Sequence, residues 1–324
     1  MTPAEKEAAA VNDAYAKALA IYGASVVAQV LYDWNAVNYA VPSGRTALLL
    51  LLMKRIKDAR RKLAALSLAR ARLVSALRSG VQQAGGTQVP RTLKSLRESF
   101  TEALSDVGAP RARHAISLNA SKFIPIDPET GDLDTLLETI NDAIDDEIEG
   151  TFGNLGAGRL AKIAKKQGVV TADDIATSRN MVAQGMERIA LNGARDTDAK
   201  VIQLNKKVYG VVRKHNAVAG DAPCGFCAVL LSRGAVYLSK RSGESTFNEE
   251  TREWEKYHPG CHCTAEEVYS ESEWLNSPRY ALNRALQVEW NENIKGRYAP
   301  QDAMSEWRKH VKRYFAKQSA QVAA

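Results

Sequence analysis

The sequence of residues 46–78 is the strongest indication of the fold class: it reads TALLLLLM followed by KRIKDARRKLAALSLARARLVSALR. This pattern predicts a helix over residues 46–79. Nine lysines and arginines lie in it beside a single acid, Asp58. Such a helix could contact nucleic-acid phosphates, because neutralised phosphates release condensed counterions. It has no aromatic side chain on which bases could stack, so we do not expect it to read base sequence.

Three interpretations of this basic helix stay open. It is a core helix with a solvated basic face, a helix that contacts DNA phosphates, or a helix that binds an acidic helix of a partner subunit. The candidate DNA or partner contacts are Lys54, Arg55, Arg60, Arg61, Arg70 and Arg72.

Helical patterns also dominate on both sides of this stretch. Residues 3–41 repeat apolar side chains every three or four positions, and Pro42 and Gly44 are expected to stop that helix. It packs within its own domain or docks on a partner. Further helices are expected over residues 91–107, after Asp134, and after Thr171, which forms a capping-box pattern with Asp174. The glycines between 150 and 158 predict a flexible break and spell no nucleotide-binding motif.

The character of the chain changes near residue 200. Residues 201–221, VIQLNKKVYGVVRKHNAVAGD, contain β-branched stretches typical of strands, and short strands are also expected over 234–239 and 263–269. The predicted fold is therefore predominantly α-helical with a small C-terminal α/β module. We divide it into a helical docking region (1–85), a helical region (86–199), the cysteine-bearing module (200–270) and a helical tail (271–324).

Composition limits the class of protein and its compartment. The 324 residues carry a net charge of +7, which permits contact with nucleic acid or an acidic protein surface without requiring it. The N-terminus shows no secretory signal, and the longest aliphatic run, Ala47–Met53, is far short of the ~20 residues that cross a bilayer. We therefore expect a cytoplasmic protein without a membrane partner. All four cysteines lie between 224 and 263, and in a reducing compartment this grouping favours a metal over disulfides.

The cysteines form two close pairs that sequence chemistry links to zinc. The pattern is Cys224-Gly-Phe-Cys227, then thirty residues, then His258-Pro-Gly-Cys261-His262-Cys263. A C-x-x-C pair on a tight turn, for which Gly225 would allow the bend, supplies two ligands of a tetrahedral structural zinc site. The other two would come from the second segment, and the choice between Cys261 and Cys263 is open. The candidate ligands are Cys224, Cys227, His258, Cys261 and Cys263.

Two alternatives to a metal stay open for this pattern. The cysteines could be packed or oxidised thiols, since cysteine packs as a small hydrophobe. Alternatively, Cys224 or Cys227 could act as a nucleophile with His258 as its base. A catalytic pair needs one cysteine, whereas two close pairs fit coordination better.

The same residues carry a resemblance to a known family. GDAPCGFCAVLLSRGAVY (220–237) and YHPGCHC (257–263) resemble the C-terminal module of MuF-like phage minor head proteins. The residue pattern of the first of these stretches, together with LNGARDTDAK (191–200), resembles the branch of this family found in phages of actinobacteria. His262 stands where that family usually has Arg or another basic residue. The positions that match the family pattern are Asp221, Cys224, Cys227, Gly234, His258, Pro259, Cys261 and Cys263.

The resemblance implies a minor capsid protein that assembles in the host cytoplasm and then resides in the virion, in the capsid interior. Its implied partners are the portal protein, the major capsid or scaffolding protein, and double-stranded DNA through phosphate contacts. Members of this branch are often labelled capsid maturation proteases, so cleavage of scaffold or capsid protein is an alternative function. No spacing identifies a Ser-His-Asp arrangement around Ser232, and we expect a protein that is not an enzyme.

Overall fold

A computed structural model describes residues 2–83, 90–110, 121–127, 135–204, 207–215, 222–236, 246–248, 253–255, 261 and 263–323. The described residues form two compact units. The first consists of those up to Val201 together with Cys261, and the second consists of the others from Ile202 onward. The fold is predominantly helical with small two-stranded sheets, so the predicted fold class is confirmed.

Two long helices open the first unit: α1 (Pro3–Ala36) and α2 (Pro42–Ser79). Thr2 caps α1 in a full capping box with Glu5. Pro42 begins α2 and does not merely stop α1, because proline suits the first turn of a helix, where its missing N–H is not needed. The helix predicted over 46–79 therefore starts four residues earlier. It ends at Gly80, whose φ of 73° lies in the left-handed region.

The rest of the first unit is also mainly helical. The helices are α3 (Leu93–Asp106), α4 (Thr135–Thr139), α5 (Ile144–Leu155), α6 (Ala157–Gln167) and α7 (Ala172–Leu204). Residues 150–158, predicted as a flexible break, lie largely within α5 and α6. The Thr171–Asp174 capping pattern is present at the start of α7, where Thr171 Oγ1 accepts the N–H of Asp174. Asp134 lies outside the described residues.

Four short strands accompany these helices. They are β1 (Gln82–Gln83), parallel to β4 (Ile126–Asp127), and β2 (Arg91–Thr92), antiparallel to β3 (Phe123–Ile124). The core of the unit lies among α1, α2, α5 and α7, and includes the fully buried Leu48, Leu52, Ile148, Val182 and Met186. Burial of such side chains contributes about 1.5–3 kcal/mol each, so the helices are held mainly by this packing.

Helix α1 is unusually apolar for its length. By length and composition it could cross a membrane, but 44% of its most apolar 18-residue window is buried within the fold, and the core helix of a soluble protein passes the same test. Val11, Tyr15 and Val30 on this helix are each at most 2% exposed.

The second unit centres on an antiparallel pair of strands, β5 (Gly210–Lys214) and β8 (Thr264–Val268). Between them in sequence lie the helix α8 (Gly225–Ser232) and the hairpin of β6 (Thr246–Asn248) with β7 (Glu253–Glu255). Three helices follow β8: α9 (Glu271–Asn276), α10 (Ala281–Asn293) and α11 (Pro300–Ala323), with a 3₁₀ turn at Pro278–Tyr280 before α10.

The strands predicted from residue 200 onward are present only in part. The strand expected over 263–269 is present as β8. The region from 200 is divided, because α7 continues to Leu204 and only Gly210–Lys214 is extended. Gly234–Val236 form no strand, so that part of the prediction for 234–239 is wrong, and the other three residues lie outside the described residues. Gly234 has a φ of 78°, which does not fit a strand.

Candidate metal centre

The first pair of cysteines is placed by helix α8. Cys224 is the N-cap of this helix, and its sulfur accepts the backbone N–H of Cys227 over 3.3 Å. Cys224 is exposed, whereas Cys227 lies inside the first turn and is 1% exposed. A C-x-x-C pair at a helix start thus separates its two sulfurs into a capping thiol and a buried thiol.

Gly225 is needed here for packing and not for a bend in the chain. Its φ is not positive, so no left-handed backbone conformation requires glycine at this position. A Cβ at this position would lie 2.5 Å from Cγ of Arg308, because α11 passes close to the start of α8. The glycine therefore allows two helices of the second unit to approach each other.

The second pair of cysteines is placed by strand β8. The β5–β8 ladder ends with Lys214 opposite Thr264, so the next residues outward are His215 and Cys263. Nδ1 of His215 lies 3.6 Å from Sγ of Cys263. Cys261 and Cys263 are 4% and 2% exposed. The side chain of Arg195 on α7 donates a hydrogen bond to the carbonyl oxygen of Cys261, which fixes the backbone at this point.

Three of the four cysteines come together. The sulfurs of Cys227, Cys261 and Cys263 all lie within 4.8 Å of one another, and all three residues are buried and free of disulfides. Three buried thiols at this spacing could hold a metal ion, and thiolate donors are the type that zinc prefers, so these residues fit the predicted metal. Cys224 is not part of this group of three, and His258 and His262 lie outside the described residues.

A buried guanidinium group lies against this sulfur cluster. Arg213 is completely buried, and its Nη2 atom lies 4.0 Å from Sγ of Cys227. The side-chain amide of Asn283 donates to the carbonyl oxygens of Arg213 and Leu231, which ties β5, α8 and α10 together. A fixed positive charge beside a sulfur stabilises its thiolate form, which is the form that binds metal.

A second charged group holds β8 to the turn before α10. Arg279 makes a bidentate ion pair with Glu266, and the hydroxyl of Tyr280 donates to the same carboxylate over 2.9 Å. Burial raises the pKa of Glu266, but attraction and hydrogen bonds from Arg279 outweigh it and hold that pKa below its usual value. Burial, then the negative charge of Glu266, raises the pKa of Tyr280 well above its usual value.

The basic helix is more internal than its sequence indicated. Arg60, Arg70 and Arg72 are at most 9% exposed. Arg60 donates to the carbonyl oxygens of Ile140 and Ile189, and Arg70 is ion-paired with buried Asp198. These arginines satisfy groups inside the fold. The exposed members of the predicted contact set are Lys54, Arg55 and Arg61, and Arg55 is paired with Asp33.

The side chain of Ser232 is buried and bonded within its own helix. It is 3% exposed, and its hydroxyl donates to the carbonyl oxygen of Val229 one turn earlier in α8. A nucleophile needs access to substrate and a base to take its proton. The hydroxyl of Ser232 is instead bonded to its own helix. Asp221, a position of the family pattern, lies outside the described residues.

His215 is the residue of this site that the sequence motif did not single out. It lies outside both cysteine segments and shares no spacing with them. The signal that could have revealed it is the pairing of β5 with β8, which places the residue after one strand opposite the residue before the other. Sequence alone did not establish that pairing.

Fold and site together define a predominantly helical protein with a small α/β module that gathers three buried cysteines. The chain belongs to the VG15 protein family, whose sequence profile matches residues 53–292. This membership makes it a phage protein. No curated protein and no solved structure matches the chain.

Proposed function

We propose that this chain is a MuF-like minor head protein that associates with the portal and the capsid interior and acts in head assembly. Membership of a phage protein family supports the virion setting. The single observation that supports a MuF-like minor head protein is the close approach of the Cys227, Cys261 and Cys263 sulfurs. These cysteines belong to the pattern that the chain shares with the MuF-like module.

The role proposed for the cluster is a structural zinc centre. Cys227 is supplied by α8, while Cys261 and Cys263 precede β8, so one ion would join two segments that are more than thirty residues apart in sequence. Structural zinc contributes directly to folding free energy. The metal would hold the module together, and no catalytic role is assigned to it.

The interaction with the portal is tested by co-purification. A tagged cognate portal protein is expressed with this chain, and complexes are recovered from procapsids and from mature heads. We expect the chain to be recovered with the portal from at least one of the two particles. Recovery from neither particle, while the portal itself is intact, would contradict the proposal.

A capsid maturation protease is the alternative that the resemblance carries. The bonding and burial of Ser232 do not favour it as a nucleophile. Cys263 lies near His215, but it is 2% exposed and belongs to the cysteine cluster. Coexpression with the major capsid protein separates the functions: we expect uncut capsid protein from the wild-type chain. Cleavage of the capsid protein by the purified wild-type chain would establish the protease instead.

Phosphate contact with double-stranded DNA is a second alternative, and exposed Lys54 and Arg61 on α2 favour it. Three exposed cations would give a salt slope of log K of about −3, since each phosphate contact contributes about −0.9. Lys54→Ala with Arg61→Ala should reduce the slope by about 2, whereas Lys94→Ala, which changes another exposed lysine on α3, should not change it if α2 is the contact. Salt-independent binding would exclude this function.

A further inference from the structure

The geometry around the cysteine cluster points to a fourth ligand outside the cysteine motif. We propose that His215 completes a Cys₃His zinc centre with Cys227, Cys261 and Cys263. This inference rests on the proposed zinc centre and adds to it the identity of the fourth donor. A soft thiolate set with one imidazole selects zinc over the hard cations magnesium and calcium.

Strand pairing places His215 at the cluster. Antiparallel partners at the ends of a ladder remain neighbours one residue further out, and Lys214 pairs with Thr264. His215 and Cys263 are therefore held side by side by the backbone and do not depend on a flexible loop for their approach. Val211, Val212 and Arg213 on β5 are at most 1% exposed, so the strand that carries the histidine is firmly packed.

The observed separation matches the edge of a zinc tetrahedron. With Zn–S near 2.3 Å and Zn–N near 2.0–2.1 Å, two such ligands at a tetrahedral angle lie about 3.5–3.6 Å apart. Nδ1 of His215 and Sγ of Cys263 are 3.6 Å apart. Two sulfurs of the same site would be about 3.8 Å apart. The three cysteine sulfurs lie within 4.8 Å of one another, so small side-chain rotations bring them to this spacing.

Charge balance also favours one imidazole over a fourth thiolate. Three thiolates, one neutral imidazole and Zn²⁺ carry a net charge of −1, whereas four thiolates would carry −2. Buried charges must be compensated nearby. Fully buried Arg213, whose guanidinium lies 4.0 Å from Sγ of Cys227, supplies one positive charge at the cluster.

The competing cysteine has another structural role. Cys224 is exposed and caps α8 by accepting the N–H of Cys227, whereas His215 lies beside Cys263 of the group of three. Its thiol satisfies one of the free N–H groups at the start of the helix. The other predicted ligand, His258, lies outside the described residues, so the experiment must compare it directly with His215.

The test uses the full-length protein loaded with zinc or with cobalt(II), whose absorption reports tetrahedral thiolate coordination. We expect His215→Ala to weaken zinc binding by more than the about 10–100-fold that outer-shell partners cost. His215→Cys should restore one zinc per chain and strengthen the sulfur-to-cobalt charge-transfer band, because it adds a thiolate. His310→Ala, which removes a histidine bonded to Glu289 on α10, is the matched control and should leave zinc and spectrum unchanged.

Two results would overturn the assignment. If His215→Ala keeps wild-type zinc affinity and cobalt spectrum while Cys224→Ala or His258→Ala loses them, the fourth ligand is one of those residues and the zinc centre itself stands. If the wild-type protein binds no zinc, both the centre and its fourth ligand are rejected. Should His215→Ala fail to fold, an unchanged charge-transfer band in His215→Cys would reject His215 as a ligand.

Discussion

In the first unit, the buried charge of Asp198 is balanced by side chains of the same unit. Asp198 accepts hydrogen bonds from Tyr15 and Ser67 and is ion-paired with Arg70, and all four residues are at most 2% exposed. In the second unit, the guanidinium of buried Arg213 lies against the sulfur atom of Cys227. The buried carboxylate of Asp198 therefore has its counter-charge within the chain, whereas Cys227 belongs to a set of donors that the proposed metal ion would complete. The two units should therefore respond differently to loss of metal.

The largest expected effect is loss of the second unit's structure on metal removal. Structural zinc contributes about 10–16 kcal/mol to folding in small zinc peptides, which is comparable to the total stability of a typical domain. After chelation, we expect amide hydrogens of β5, β8 and α8 to exchange rapidly, as followed by hydrogen–deuterium exchange. The centres of α2 and α7 should keep their protection. Equal loss of protection in α2 would contradict the difference between the units.

Breaking the ion pair in the first unit should give the next largest effect. Asp198→Asn leaves Arg70 as a buried cation without its counter-charge, which costs about 3–5 kcal/mol. Denaturant unfolding of the first unit measures this loss. Asp145→Asn is the matched control, because it breaks a largely exposed pair with Lys57 and should cost less than about 1 kcal/mol. A similar small loss for both variants would show that the buried pair is not important for stability.

In the second unit, Arg279→Ala tests the ion pair that holds β8. The change removes two charge-assisted bonds from buried Glu266 and should destabilise the unit by about 1.5–3 kcal/mol. Zinc content should not change, because the pair does not include the cysteines. Arg297→Ala, an exposed arginine in the turn after α10, is the control and should have little effect. Loss of zinc in the Arg279 variant would show that the pair and the cluster are coupled.

Acid should produce the smallest effect of this series. The folded-state pKa of Glu266 lies below its ordinary value of 4.5, so its stabilisation is complete above that pH and is lost as the pH falls through the folded-state pKa. Denaturation midpoints between about pH 6 and pH 3 should fall more steeply for wild type than for Glu266→Gln. Parallel curves would exclude this carboxylate as a source of acid sensitivity.

Periodicity predicted the helices because their apolar residues recur locally. Val11, Tyr15 and Val30 of α1 follow the helical repeat, and all three are buried as that repeat predicts. The capping pair Thr171 and Asp174 likewise depends on residues three apart. The approximate position of β8 followed from a short β-branched segment. Such features need no knowledge of distant contacts.

The features that sequence did not predict depend on distant partners. The sequence alone places Arg70 among the basic residues of α2, but its ion-pair partner Asp198 is 128 residues away. His215 joins the cysteines through strand pairing with a segment 48 residues later. Cys224 and Cys227 share a motif, yet the start of α8 leaves one exposed and buries the other. These positions follow from tertiary packing, which local patterns do not contain.

Native mass spectrometry of the purified full-length protein tests the zinc centre most directly. The wild-type chain should carry one zinc ion, and Cys227→Ala, which removes a sulfur from the cluster, should carry none. Cys224→Ala should retain the ion if the exposed cysteine acts only as a helix cap. A zinc-free wild-type protein whose β5–β8 sheet is nevertheless protected from hydrogen exchange would contradict the account.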